Sequence, residues 1–258
     1  MASHATVPLP HKEPNQMTAA MRRIIKRVMG VAARRLYELC AHHAEADLPR
    51  FANAPKNVRI ELPRRISEAE RIYMGDDVNI GPNSLLVAQT SYPSRETQNP
   101  DRPIPVEHFE PRIVIGNRVS ATGNLTIDAM QSVVIEDDVM FASNVIIMDG
   151  LHGFRTANEP YKYQPMWRIA PVVIGRGCWI AQNVVIMPGV TIGPLSIIGA
   201  NSIVAQSIPA KSIAFGNPAR VVKRWDEQQQ CWMSAEQDAE SPTPARATER
   251  DGDARTHR

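Results

Sequence analysis

Ile174-Gly-Arg-Gly-Cys-Trp, Ile180-Ala-Gln-Asn-Val-Val, Ile186-Met-Pro-Gly-Val-Thr, Ile192-Gly-Pro-Leu-Ser-Ile, Ile198-Gly-Ala-Asn-Ser-Ile, Val204-Ala-Gln-Ser-Ile-Pro is residues 174–209 written in sixes. The first residue of each six (Ile174, Ile180, Ile186, Ile192, Ile198, Val204) is β-branched and aliphatic. The fifth (Cys178, Val184, Val190, Ser196, Ser202, Ile208) is small or apolar, and the second is Gly or Ala in five of the six. A strict period of six fits neither an amphipathic helix nor a lone alternating strand. It predicts a hexapeptide-repeat solenoid, an all-β fold in which three sixes make one coil of about eighteen residues. Coils then stack at a strand spacing of roughly 4.8 Å, and their aliphatic residues form one continuous core. Small residues at the second position leave the backbone room to turn each corner.

The same period reaches back along the chain. It begins weakly at Leu62, Glu68, Met74, Ile80 and Leu86, with Ile66, Ile72, Val78, Ser84 and Thr90 at the fifth positions. Glu68 at an inward position marks a ragged first coil. The period resumes at Ile115, Ala121 and Ile127, slips by two residues, and continues at Ile135, Phe141 and Ile147. Two interruptions, 88–112 and 148–171, break it, the first carrying Pro93, Pro100, Pro103 and Pro105. Long loops inside a repeat array are uncommon and usually functional. A β-helical domain is therefore expected over 58–225. Beyond it, 226–258 reads as a short end segment, with Trp225–Met233 helical, and a disordered tail. Residues 234–258 hold no Val, Ile, Leu, Phe, Trp or Tyr and cannot bury enough apolar surface to order themselves.

Residues 1–16, with Pro8, Pro10 and Pro14, read as a flexible lead-in. Over 17–47, Met17, Met21, Ile24, Ile25, Val28, Met29, Ala32, Leu36 and Leu39 recur at helical spacing. Arg22, Arg23, Lys26, Arg27, Arg34 and Arg35 fill the other face, and no acid follows until Glu38. Such a basic amphipathic helix has two readings. It docks on the solenoid and leaves a solvated charged face, which is the simpler expectation, or its 17–39 stretch lies on an anionic membrane.

The 29 Lys and Arg against 27 Asp and Glu leave a net charge of +2, which does not argue for a nucleic-acid partner. Cys40, Cys178 and Cys231 lie far apart and form neither a metal spacing nor an even disulfide set, so a reducing cytoplasm is the expected compartment. The N-terminus lacks the apolar core of a signal peptide, and no apolar run approaches the length of a membrane span. Cys178 falls at an inward position and reads as a buried thiol.

The run Val172-Val-Ile-Gly…Cys178-Trp-Ile-Ala-Gln-Asn-Val-Val-Ile-Met-Pro-Gly-Val, closed by Gly216-Asn-Pro-Ala-Arg, resembles the hexapeptide-repeat acyltransferases. The similarity covers roughly 72–225 and points to the galactoside, maltose, xenobiotic and polysaccharide O-acetyltransferase branch. The resemblance implies a left-handed parallel β-helix, acting as a homotrimer with active sites in the clefts between neighbouring prisms. It implies transfer of an acetyl group from acetyl-CoA to a hydroxyl, usually on a saccharide in surface-polysaccharide or lipopolysaccharide assembly. No metal is implied.

The resemblance places the general base at His152, in Ile147-Met-Asp149-Gly-Leu-His152-Gly. Many relatives carry Asp-His-x-His-Gly here, whereas this chain has Gly150 at the first histidine position. Imidazole, with a pKa near 6.5, can accept a hydroxyl proton at neutral pH. Its second nitrogen needs an acceptor, for which Asp149 or a backbone carbonyl is expected. His108, in the other insertion, is a weaker candidate. For the donor, the resemblance implies pantetheine along the groove at Ala181, Gly199 and Ala200, received by backbone amides, with Trp179 and Asn183 alongside. Arg220, Lys223 and Arg224 would meet the phosphates, although Ala205-Gln206 replaces a Thr-Lys of many relatives. Tyr161, Tyr163 and Trp167 are suited to stacking on a sugar ring. Two alternatives stay open: a nucleotide-sugar N-acyltransferase, which shares fold and donor, and a non-catalytic β-helical scaffold. Only His108 and His152 of the seven histidines fall in the repeat region, which speaks against a three-histidine zinc site.

Overall fold

The computed structural model describes residues 19–46 and 48–235. By internal contacts the chain forms two units, 1–47 and 48–258. In the first, Ala19–Ala46 is one unbroken α-helix. Ala, Met, Arg and Leu favour it, and the interior Gly30 costs about 1 kcal/mol relative to alanine.

In the second unit the chain visits three parallel sheets in rotation. Face one holds Ile72–Met74, Arg112–Ile115, Ser132–Ile135, Val172–Ile174 and Thr191–Ile192. Face two holds Arg59–Ile60, Asn79–Ile80, Ser120–Ala121, Met140–Phe141, Trp179–Ile180, Ile197–Ile198 and Ser212–Gly216. Face three holds Arg64–Ser67, Ser84–Ala88, Leu125–Ala129, Val145–Met148, Val185–Ile186 and Ile203–Val204.

The register explains the period. Met74, Ile115, Ile135, Ile174 and Ile192 stand in one column. Ile80, Ala121, Phe141, Ile180, Ile198 and Ala214 form the second. Leu86, Ile127, Ile147, Ile186 and Val204 form the third. All of these are buried. A large aliphatic side chain contributes about 1.5–3 kcal/mol when fully buried, and β-branched residues suit the pleated surface.

The corner between faces two and three is built on asparagine. Asn83, Asn124, Asn144, Asn183 and Asn201 all take positive φ there. Asparagine tolerates that left-handed conformation, and its amide can bond locally. Asn144 Nδ2 donates to Asn183 Oδ1 (3.1 Å), and Asn183 Nδ2 donates to Asn201 Oδ1 (2.9 Å), so the corners are stapled in a ladder.

Three sequence readings are corrected. Leu62 and Glu68 do not point inward. Leu62 is exposed and Glu68 sits at φ 52 before a short 3-10 turn, while Ile60 and Ile66 pair with Ile80 and Leu86. The first coil therefore slips by two between Ile66 and Met74, as the later one does between Ile127 and Ile135. Trp225–Met233 is not helical. Ala219–Asp226 and Cys231–Ser234 form an antiparallel hairpin on the edge of face two, with Trp225 opposite Trp232 and their rings 5.5 Å apart. A cross-strand aromatic pair of this kind contributes roughly 0.2–1 kcal/mol to the hairpin. The expected lead-in over 1–16 and tail over 236–258 lie outside the described residues.

Both slips and both interruptions fall at one corner, where face three hands over to face one. That corner is where the molecule departs from its repeat.

Candidate functional site

The two insertions meet at this corner. The first folds as a small hairpin, Ser91–Tyr92 against Glu107–His108, and the second as Leu151–His152 against Met166–Trp167. They arise from coils that flank the middle one, so each can reach across its corner at Ala129–Ser132. Tyr92, Met130 and Met166 are buried there together, with Phe109 and Ile169 packed against them. Glu107 Oε2 accepts the Met166 backbone N–H at 3.0 Å, and the Tyr92 hydroxyl donates to the Lys162 carbonyl. Burial, then the Glu107 charge, pushes the Tyr92 hydroxyl above the usual tyrosine pKa. A charge and a hydroxyl thus lock one insertion to the other.

His152 lies exposed on this platform, its ring edge-on to Tyr92 with centroids 5.2 Å apart. Gly153 lets the strand pass close to its partner, because a Cβ there would sit 2.1 Å from the Pro165 carbonyl oxygen. At Gly150 an added Cβ would meet Met130 Sδ at 2.6 Å, so the missing first histidine coincides with a methionine that fills its space. Beside His152, Phe154 and Trp167 form an exposed edge-to-face pair with centroids 4.5 Å apart. Tyr161 is also exposed, and Lys162 Nζ lies 4.7 Å over the Tyr163 ring.

Asp149 does not orient His152. It is fully buried, and its carboxylate accepts the backbone N–H groups of Met130 (2.6 Å), Gln131 (2.8 Å) and Ser132 (2.6 Å). It pins the corner of the coil beneath. Burial raises its pKa above the ordinary carboxylate range, and the three N–H donors oppose that shift.

The carboxylate that faces His152 electrostatically is Asp128, near the end of Leu125–Ala129 and in register with Met148. Its Oδ1 is buried without a hydrogen-bond partner. Burial raises its pKa first and the Asp149 charge second, while His152 and Arg65 pull it down. Sequence reading missed Asp128 because an aspartate at an outward strand position is unremarkable. Only the fold sets it beside the loop histidine.

The donor residues lie elsewhere. Trp179 is exposed on face two, stacked between Met140 and Ile197. The Ala181 N–H donates to Ile198 O (2.9 Å) and the Gly199 N–H to Ala214 O (2.8 Å), so both amides serve the ladder rather than a ligand. A Cβ at Gly199 would stand 2.8 Å from Phe215 Cβ, which accounts for glycine there. Asn183 belongs to the asparagine ladder. Ala200 is exposed at the same corner. Arg220, Lys223 and Arg224 lie exposed on the closing hairpin, and Arg220 Nη1 reaches Gln206 Oε1 at 3.4 Å. Lys223 and Arg224 are consecutive strand residues and so point to opposite faces. Within one chain, this set occupies face two and its corner with face three, opposite the corner that carries His152. His108 is exposed on the first hairpin, opposite Ser91.

Cys178 is buried, its Sγ 3.2 Å from the Gly193 carbonyl, and burial pushes its thiol to about 11. Such a thiol stays protonated at neutral pH and cannot act as a nucleophile. Among the described residues no group of three His, Cys, Asp or Glu could hold a metal ion.

Residues 171–206 match the family described as bacterial transferase hexapeptide (six repeats). Galactoside O-acetyltransferase of Escherichia coli is 42% identical over 111 residues, covering 43% of this chain and 53% of that protein. WbbJ of the same organism, named as a putative lipopolysaccharide biosynthesis O-acetyl transferase, is 33% identical over 129 residues, covering 48% of this chain and 66% of that protein. The chain carries this repeat over 171–206 and is similar to these acetyltransferases over a little under half of its own length. It spans between about half and two thirds of the length of these curated relatives. Among solved structures, a point mutant of AntD, an N-acyltransferase from Bacillus cereus in complex with dTDP and coenzyme A, matches at 18% identity and a TM-score of 0.50. That match covers 74% of this chain and 90% of AntD. At this identity the likeness concerns the fold.

Proposed function

We propose that this protein is an O-acetyltransferase that moves an acetyl group from acetyl-CoA to a saccharide hydroxyl, with His152 as general base. The observation that carries the reading is the corner itself. An exposed imidazole lies beside a half-buried carboxylate with an unpaired oxygen and beside an exposed aromatic pair, on a platform built from the two long interruptions of the repeat. The names of the two relatives, an acetyltransferase for galactosides and one for lipopolysaccharide, favour an oxygen acceptor.

His152 takes the acceptor hydroxyl's proton as the oxygen attacks the thioester carbonyl, and returns it to the departing thiolate. An ester and free coenzyme A result. Acetyl-CoA supplies the activated acetyl group. Asp128, rather than Asp149, stabilises the imidazolium formed in that step. Phe154 and Trp167 offer apolar ring faces to a pyranose. No covalent acyl-enzyme is required. The coil is left-handed in this reading, and the protein is a homotrimer. Trimerisation resolves the separation within one chain, because the donor set of one copy would complete the His152 corner of its neighbour.

Calorimetric titration with acetyl-CoA, paired with an acetyl-transfer assay on a saccharide panel, tests the proposal. Donor binding by both wild type and His152→Ala is expected, with transfer reduced in the variant by roughly 10²–10⁴. Absence of donor binding by the wild type would return the protein to a scaffold. Full activity in the variant would remove His152 from the mechanism. Product labile to mild base is an ester; stable product is an amide and would favour the N-acyltransferase reading.

A further inference from the structure

The helix Ala19–Ala46 carries a surface that the acetyl-transfer reading does not use. At 3.6 residues per turn, Arg23, Lys26, Arg27 and Arg34 fall in one sector of about 100°. Met21, Ile24, Ile25, Val28, Met29, Val31, Leu36 and Leu39 fill the opposite sector of about 160°. Arg35 falls inside the apolar sector, between Ile24 and Val28, and its long side chain can carry the guanidinium out toward the headgroup level. The apolar side chains are exposed along the helix.

We infer that this helix lies in the plane of an anionic lipid surface. Its 28 residues extend about 42 Å at 1.5 Å each, so the apolar stripe is long as well as wide. Among the described residues no helix is long and apolar enough to cross a membrane, which leaves the surface orientation. The charge favours lipid over a second copy of the helix. From Ala19 to Tyr37 the helix has cations and no acid, so two copies packed stripe to stripe in parallel would bring like charges together along most of their length. An anionic bilayer answers both halves of the surface at once, with headgroups for the cations and acyl chains for the stripe. Anchoring of this kind would hold the chain against a lipid surface independently of whatever its β-unit acetylates.

Flotation of the full-length protein with vesicles tests the inference, using phosphatidylcholine alone and phosphatidylcholine mixed with phosphatidylglycerol. The protein should float with the mixed vesicles at low salt, and should stay behind with neutral vesicles or at raised salt. Arg23→Gln, Lys26→Gln and Arg27→Gln combined should weaken partition on the order of a hundredfold. Ile25→Ser with Val28→Ser should weaken it while leaving the melting temperature of the β-unit unchanged. No partition into mixed vesicles at low salt would overturn the inference, as would equal partition into neutral ones. A drop in oligomer mass by light scattering in the Ile25→Ser, Val28→Ser protein, with no vesicle binding by the wild type, would assign the stripe to a second copy instead.

Discussion

Replacing Asp128 with asparagine should make the protein more stable and less active. The substitution keeps the side chain's size and removes a charge whose Oδ1 is buried with no donor. Burial disfavours the ionised carboxylate but not a neutral amide of the same size, and because Asp128 retains some exposure we expect about 1 kcal/mol of gain at neutral pH. For a domain of this size that corresponds to a rise of about 2–4 °C in melting temperature. The pH dependence gives a sharper signature. Burial and the Asp149 charge raise the folded-state pKa of Asp128 above its unfolded value. The unfolded chain therefore ionises first as pH rises. Stability from the neutral acid is fully present below about pH 4 and is lost as pH climbs through the raised value. The variant's advantage should be close to nil in that acid range and widen toward neutrality, which calorimetric melts across pH would show. Acetyl transfer should fall by about 10–100-fold, the equivalent of one lost charge-assisted contact to the imidazolium. A variant less stable than wild type at neutral pH, or a gap that does not change with pH, would refute the reasoning and make Asp128 a net stabilising partner.

Asp149→Ala should behave in the opposite sense. It leaves the Met130, Gln131 and Ser132 N–H groups without their acceptor, which should cost about 3 kcal/mol or more in urea denaturation. A loss under about 1 kcal/mol would mean that Asp149 does not hold that corner. Cys178, with a thiol raised to about 11, should resist aromatic disulfide reagents in the native protein and react once the chain is unfolded. Rapid native labelling at Cys178 would contradict its burial.

Much of the architecture was legible in the chain because the hexapeptide period is a local property. Each six specifies one inward aliphatic, one corner and one step, so Met74, Ile80, Leu86, Ile115 and their successors could be placed in columns without coordinates. Leu62 and Glu68 were misplaced because the first coil has no coil before it to enforce register, and a 3-10 turn absorbs the slip there. The closing hairpin was misread because a run containing Glu227-Gln-Gln-Gln230 favours helix locally, whereas pairing of Trp225 with Trp232 across the turn decides for strand.

The candidate site divides the same way. His152 and the two interruptions were visible as departures from a repeat, and the lone histidine of its loop stood out by residue type. The roles of the neighbouring carboxylates were not. Asp149 and Asp128 are both acids at the end of a face-three strand, and nothing in their immediate sequence separates them. Tertiary structure does so by sending one carboxylate under three backbone amides and leaving the other with an unpaired oxygen within the electrostatic reach of the imidazole. Likewise Asn183, Ala181 and Gly199 looked available to a ligand until the stacked coils used their amides and side chains for one another. Sequence alone determined the inward residues, because periodicity acts between neighbours in the chain. Which polar groups are spent on the fold and which remain for chemistry depends on contacts between distant coils, and only the tertiary structure decided it.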